Sequence, residues 1–429
     1  MNILVTGATG FIGRHIVDTL LQAGHTVTAA VRHPSIVQQR WPAVKVIAAD
    51  FIRDHAVSDW TPRLAGIDVV INAVGIIRET GQQTFEALHT QAPIALFRAC
   101  EQSGVKRIIQ ISALGTDETA FSQYHLSKRS ADEVLMSSNL DWAIVMPSIV
   151  YGSGAKSMAF FKAMAALPLI PIIDDGEQPV QPIHINDLCQ AIVQLVLPTA
   201  PKALRIEMVG PQAVTIKSLY TQLRQWLGLG KPHFLSLPYR VALIGARLGG
   251  FLGNTPMTPE AVDMLRHGNT GDVTPFMNQF GFTPIAFKES LKQFPAQQAD
   301  TWHAGLYFLK PLLLWGIAFL WIFTGLVSAL LFPVEQSYAM LAKAGITGIW
   351  APIMLYGAAA TDVLLGIATL LAYRIHQVGL IQIAIIVLYT VIISFSQFEQ
   401  WLHPFGPVSK NIPLLVATLM MIVLERNRA

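Results

Sequence analysis

Met1-Asn-Ile-Leu-Val-Thr-Gly-Ala-Thr-Gly-Phe-Ile-Gly-Arg14 is the stretch from which the rest of the chain is read. Ile3, Leu4 and Val5 form the short apolar run that a buried parallel strand needs. Gly7, Gly10 and Gly13 follow as G-x-x-G-x-x-G, and Ile16, Val17, Leu20 and Leu21 then recur with helical spacing. Gly7 lets the chain turn sharply off the strand, and Gly10 lets the backbone approach a pyrophosphate. Gly13 lets the helix pack against the sheet, so that its free N–H groups face the phosphates. The alternative is a strand–turn–helix with no ligand. Glycines are costly to keep without a purpose, and their place directly after a strand favours dinucleotide binding.

Working outward, residues 25–31, 44–48, 68–72 and 107–111 read as further strands. Residues 84–100 read as helical despite Pro93. Strands alternating with helices at this cadence imply an α/β fold, a Rossmann-type doubly wound parallel sheet with a small substrate lobe. Ligand is expected at the carboxyl ends of the strands, where Gly7, Arg32, Asp50, Gly75 and Ser112 fall. The expected cofactor-binding set is Gly7, Thr9, Gly10, Phe11, Ile12, Gly13 and Arg14 at the turn, then Arg32, then Asp50 and Phe51 beside the adenine. Ala73, Val74 and Gly75 beneath the cofactor, with Tyr124, Lys128, Pro147 and Ile149, complete it. An acid at the end of the second strand binds ribose hydroxyls, whereas an arginine accommodates a 2′-phosphate. Arg32 stands there with no acid, so NADP(H) is favoured over NAD(H).

Tyr124 and Lys128 are spaced i, i+4, one turn apart on one helix face, twelve residues after the strand-end Ser112. A tyrosine serves as acid/base near neutrality only if a cation lowers its pKa, which is the role expected of Lys128. Ser112 is expected to hydrogen-bond the substrate oxygen. Cys100 and Cys189 lie far apart without metal spacing, which implies buried thiols in a reducing compartment and no metal site. The net charge of +3 implies no nucleic-acid partner.

These motifs resemble the short-chain dehydrogenase/reductase superfamily: Thr6–Gly13 (TGATGFIG), Asn72–Gly75 (NAVG), Ser112, and Tyr124 with Lys128. Pro147-Ser-Ile-Val-Tyr-Gly152 and Pro182-Ile-His-Ile-Asn-Asp-Leu188 resemble segments of its extended, epimerase-like branch. The likeness spans about residues 1–290 and is closer to the atypical branch that includes the accessory subunit of mitochondrial respiratory complex I. Members of that branch can bind NADP(H) without turnover. One departure is Ala87-Leu88-His89-Thr90, where epimerase-like members carry asparagine. His89 is read as a packed helix residue, and His184 and Asp187 as scaffold that satisfies backbone N–H groups.

Charged residues are only 13% of the chain, and mean hydropathy is +0.45, too apolar for a wholly soluble enzyme. Residues 311–332 carry no charge and would span about 33 Å as helix, enough to cross a bilayer. The expected division is a nucleotide-binding domain over 1–300, its substrate-covering parts within 151–294, and a membrane domain over 301–429. Four helices are expected near 306–332, 349–373, 378–396 and 405–424. Pro404-Phe-Gly-Pro-Val-Ser-Lys-Asn-Ile-Pro413 resembles the DoxX-like four-helix family. Asp362, the one acid inside these spans, is expected to face the bundle interior. It would there bond a neighbouring helix or contact a quinone-like ligand or partner.

The first strand begins at Met1, so no signal peptide is expected ahead of it. A cytoplasmic nucleotide domain on an integral inner or plasma membrane protein puts Lys310, Arg374, Arg426 and Arg428 inside, with Lys343 and Lys410 outside. Phe160, Phe161, Met164 and Leu167, with Pro168 and Pro171, suggest an apolar lid and a lipid-like or quinone-like substrate. Residues 243–252 are glycine-rich and could lie against the membrane surface.

The expected function is hydride transfer between NADP(H) and a carbonyl or alcohol, with Tyr124, Lys128 and Ser112 as the catalytic set. The alternatives are a nucleotide-binding structural or assembly protein with a membrane-protein partner, and an epimerase or dehydratase.

Overall fold

The computed structural model describes residues 1–251 and 257–425. Leu252, Arg426 and Arg428, used in the sequence reading, lie outside the described residues. The chain forms two compact units, Met1–Gly305 and Leu306–Ala429.

The first unit is built on seven parallel strands: β1 (Asn2–Thr6), β2 (Thr26–Val31), β3 (Lys45–Ala48), β4 (Val69–Asn72), β5 (Arg107–Ile111), β6 (Asp141–Pro147) and β7 (Leu204–Met208). Their order is 7-6-5-4-1-2-3. The reversal between β1 and β4 is where a doubly wound sheet opens a ligand crevice. Alternate side chains take opposite faces. Ile3, Val5, Ile109 and Val145 pack with Ile16, Leu20 and Ile192, while Leu4, Val70, Ile108 and Ile144 pack with Trp60, Leu96 and Leu135.

β7 was not read from the sequence. Its partner β6 supplies the pairing, Arg205 against Ile144 and Met208 against Pro147, and the alternation of Leu204, Ile206 and Met208 with Arg205 and Glu207 is the local signal that was passed over.

The helix around Pro93 differs instructively from a plain α-helix. Glu86–Gln91 winds as a π-turn, and Ala92–Ser103 continues as α-helix with Pro93 in its first turn. Proline offers no N–H to the carbonyl of His89, so a wider turn there absorbs the register change.

The apolar lid residues are core instead of an open lining. Phe160, Phe161 and Met164 on the helix Lys156–Ala166 are buried, with Phe161 meeting Tyr220 of Ile216–Trp226 edge-on at 6.1 Å. The helix Tyr239–Phe251 exposes Val241 and Ile244.

Three helices, Gln298–Leu331, which begins in the first unit, and Trp350–Leu370 and Ile375–Ser396 in the second, are each long and apolar enough to cross a membrane. The fourth helix covers Asn411–Glu425 and is shorter; residues 405–410 form turns outside it. Lys310, inside the helix Gln298–Leu326, reaches Glu425 at the end of Asn411–Glu425 at 3.3 Å, and Lys343 reaches Glu399 at 3.1 Å.

Candidate functional site

Gly7 follows β1 with φ +67°, and a Cβ there would stand 2.7 Å from the carbonyl carbon of Ala73, behind β4. At Gly13 a Cβ would stand 2.1 Å from the Gly7 carbonyl oxygen. Gly13 therefore lets the helix Phe11–Gln22 close on its own turn, a tighter constraint than the helix–sheet packing expected. No side chain caps that helix at Gly10. These features fit a dinucleotide: a turn too tight for any side chain at Gly7 or Gly13, which brings a helix N-terminus with no side-chain cap to the end of β1.

Around this turn the expected residues have distinct fates. Thr9 is exposed, and Phe11 and Ile12 are half-buried. Arg14 is not free charge beside the phosphates. Its Nη2 donates to the Ser153 carbonyl at 2.8 Å, over Gly154 whose φ is +86°. Arg32 is exposed just past β2, with no hydrogen bond or ion pair among the described residues. Asp50 is half-buried and accepts from the Ile52 N–H at 3.1 Å. The Phe51 ring sits in the core, edge-on to Trp60 at 5.2 Å, so only its backbone can border a base. Val74 N–H points to Asn72 Oδ1 at 3.4 Å. The Pro147 carbonyl accepts from Leu114, and the Ile149 N–H donates to Asn269 Oδ1 at 3.1 Å.

Tyr124 and Lys128 project from the helix Gln123–Met136, capped by Ser122, with Lys128 Nζ 5.9 Å from the Tyr124 ring centroid. A Cβ on Gly75 would lie 3.4 Å from that Nζ and 3.6 Å from His89 Nε2. Gly75, His89, Tyr124 and Lys128 thus share one wall.

Two electrostatic expectations are corrected here. Lys128 does not hold Tyr124 low: burial pushes the phenol upward, and the carboxylates of Glu260 and Asp132 add to it. Burial also takes the Lys128 ammonium down to about 8, against the pull of Asp132. Its Nζ donates to the Ile111 carbonyl at 3.0 Å. Ser112 is not turned to the crevice either. It is 3% exposed, donates to Asp132 Oδ2, and lies 3.1 Å from the Thr116 hydroxyl.

Several residues outside the expected set complete the wall. His89 Nε2 accepts from the Ile76 N–H at 3.0 Å, so its proton sits on Nδ1, 3.0 Å from Ser127 Oγ. Ser127 in turn donates to the Tyr124 carbonyl at 2.9 Å. Burial, then Lys128, lowers the imidazole to about 2, so it is neutral. Glu260 accepts from the Tyr124 N–H at 2.9 Å across the fold. Thr6, Asn72 and Gln110 form a buried polar chain across β1, β4 and β5, with links of 2.6 and 2.7 Å. Asp132 was legible, one further turn along Tyr124-x-x-x-Lys128; Glu260 was not, because nothing local ties residue 260 to residue 124.

His184 and Asp187 act as scaffold: His184 accepts from the Asn186 N–H at 3.3 Å and Asp187 from that of Ile285 at 2.9 Å. Cys100 and Cys189 are buried and free, their thiols pushed up by burial, that of Cys189 to about 12.

Comparison with known proteins matches residues 7–159 to an NAD(P)H-binding family and residues 318–419 to the DoxX-like family. The chain is 30% identical over 195 residues to a ceramide reductase of Caulobacter vibrioides, covering 44% of this chain and 59% of that protein. It is 28% identical over 265 residues to the mitochondrial NADH dehydrogenase [ubiquinone] 1 alpha subcomplex subunit 9 of Arabidopsis thaliana, covering 58% and 63%. The matches thus span less than two thirds of either relative. A nucleoside-diphosphate-sugar epimerase from Staphylococcus aureus shares the fold, with TM-score 0.57, 18% identity, and coverage of 68% of this chain and all of that one (100%). The chain thus carries an NAD(P)H-binding match over residues 7–159, within a unit that has the fold of that epimerase, and a DoxX-like match over residues 318–419.

Proposed function

We propose that the chain is a membrane-bound reductase that passes hydride between NADP(H) and a carbonyl or alcohol of a lipid-like or quinone-like substrate. The shared wall of Gly75, Tyr124 and Lys128 beside the glycine turn carries this reading. NADP(H) would supply or accept the hydride. Gly7 and Gly13 close the turn, Gly10 leaves its backbone open to the pyrophosphate, and the unpaired Arg32 is available to a 2′-phosphate. Tyr124 is placed to give the substrate oxygen its proton, which a high phenol pKa suits, and Lys128 to share the field around it. Ser112, committed to Asp132, holds the base of the wall and is not assigned to the substrate oxygen.

Ceramide reductase, one of the relatives, supports a substrate with an acyl chain, as do the apolar spans that attach the domain to a bilayer. The proximity of Lys310 to Glu425 supports an even number of crossings, and a need for cellular NADP(H) is the reason to put the nucleotide domain on the cytoplasmic side, with Lys343 opposite.

The test is NADPH oxidation by the full-length protein in detergent against long-chain ketones and quinones. Tyr124→Phe is expected to lower turnover at least about a hundredfold with nucleotide affinity unchanged. Undiminished turnover in that variant rejects the assignment. The commitment of Ser112 to Asp132 favours a second reading, a nucleotide-binding assembly subunit. That reading stands if nucleotide binds and no carbonyl compound is reduced.

A further inference from the structure

In the second unit, helical hydroxyls from Thr324 to Thr418 follow one habit. They donate to the carbonyl four residues back, as Thr361 does to Gly357 at 2.8 Å and Ser394 to Thr390 at 2.6 Å. This is the cheapest way to satisfy a hydroxyl where no water reaches. Ser328 and Ser337 depart from it. Neither hydroxyl has a hydrogen bond among the described residues, although Ser337 is only 6% exposed. Both line one open groove of about 350 Å³.

The local backbone explains the groove. The helix Gln298–Leu326 widens into the π-turn Val327–Leu331 and stops before Pro333. The short helix Val334–Lys343 then folds back, and Trp350–Leu370 packs against both. The remaining wall is apolar: Val327, Phe332, Met340, Leu341 and Leu355. Its depth follows from the same elements. Leu331 ends one membrane-length helix and Trp350 begins the next, so the groove lies where the chain leaves the hydrocarbon layer. Exposed Trp350 belongs at that boundary. The ester carbonyls of a bilayer lie at this level, and they accept hydrogen bonds without donating any. The nearby cation, Lys343, is already paired with Glu399.

We propose that this groove seats the glycerol-ester segment of one membrane phospholipid. An acyl chain lies along Val327 and Leu355, and its ester carbonyl accepts from Ser328 and Ser337. With Lys343 paired, the site does not select for headgroup charge.

The test compares diester and diether phosphatidylcholine of equal chain length, offered together in mixed micelles to the full-length protein. Native mass spectrometry then counts the lipid retained. One retained diester molecule is expected, preferred about fivefold over the diether lipid, which lacks the carbonyl. The double variant Ser328→Ala, Ser337→Ala should lose that preference at an unchanged melting temperature, because the hydroxyls it removes are unpaired. Leu341→Trp, which fills the groove and keeps both hydroxyls, should lose the retained lipid altogether. Equal retention of the two lipids by the wild type overturns the proposal. So does an unchanged preference in the double variant.

Discussion

The Ser112 hydroxyl donates to Asp132 Oδ2 beneath the crevice, and the other oxygen, Oδ1, has no hydrogen-bond partner among the described residues. A serine that ends β5 and was expected to touch substrate is thereby bound to a carboxyl on the neighbouring helix.

That carboxyl should leave a signature in stability. Burial raises Asp132 from its ordinary 3.8 to about 6, with Ser112 and Lys128 opposing the rise. Between those values the folded state holds the proton more tightly than the unfolded chain does. Its contribution is therefore present below about pH 4 and lost as pH rises through about 6, at no more than about 1.4 kcal/mol per pH unit. Urea titrations of the full-length protein across that window should show stability falling as pH rises. Asp132→Asn should flatten the slope; an unchanged slope would assign it to other groups.

The glycine turn predicts two separable effects. Gly13→Ala forces a Cβ into the Gly7 carbonyl and should cost about 1–3 kcal/mol of stability, the usual range for overpacking. Gly10→Ala meets that carbonyl at 3.1 Å, tight but milder than at Gly13, so it should cost less stability than Gly13→Ala while binding NADPH about tenfold more weakly. Thermal melting and a nucleotide fluorescence titration read the two quantities.

Arg32→Ala tests cofactor choice. A charge-assisted contact to a phosphate is worth about 1.5–3 kcal/mol, so NADPH affinity should fall about tenfold or more while NADH affinity holds. A parallel loss for both nucleotides would place Arg32 outside the 2′-phosphate site.

His89 should stay silent in pH profiles above pH 5, since it is neutral there. His89→Ala should nonetheless destabilise the domain by about 1–3 kcal/mol, because the Ile76 N–H loses its acceptor. His89→Asn, which can accept from the same N–H, should recover part of the loss. A new limb near pH 6 abolished by these variants would contradict the neutral assignment.

The opening residues, with the strands and helices that alternate after them, were enough to determine the architecture. An apolar run, a three-glycine turn and a helical repeat are local patterns, and local sterics leave them one arrangement. The long uncharged stretches were equally legible, since crossing a bilayer depends on length and composition. Tyr124 and Lys128 could be paired from their spacing because a helix puts i and i+4 on one face. The fate of their chemistry could not. Whether a phenol is lowered by its lysine or raised by burial depends on what else packs there, and Glu260 arrives from a helix far along the chain. The same holds for Ser112, whose partner was decided by the packing of a helix on a strand. Spacing determines which groups can meet along one element; only tertiary packing decides the solvation and the charges that set their pKa values.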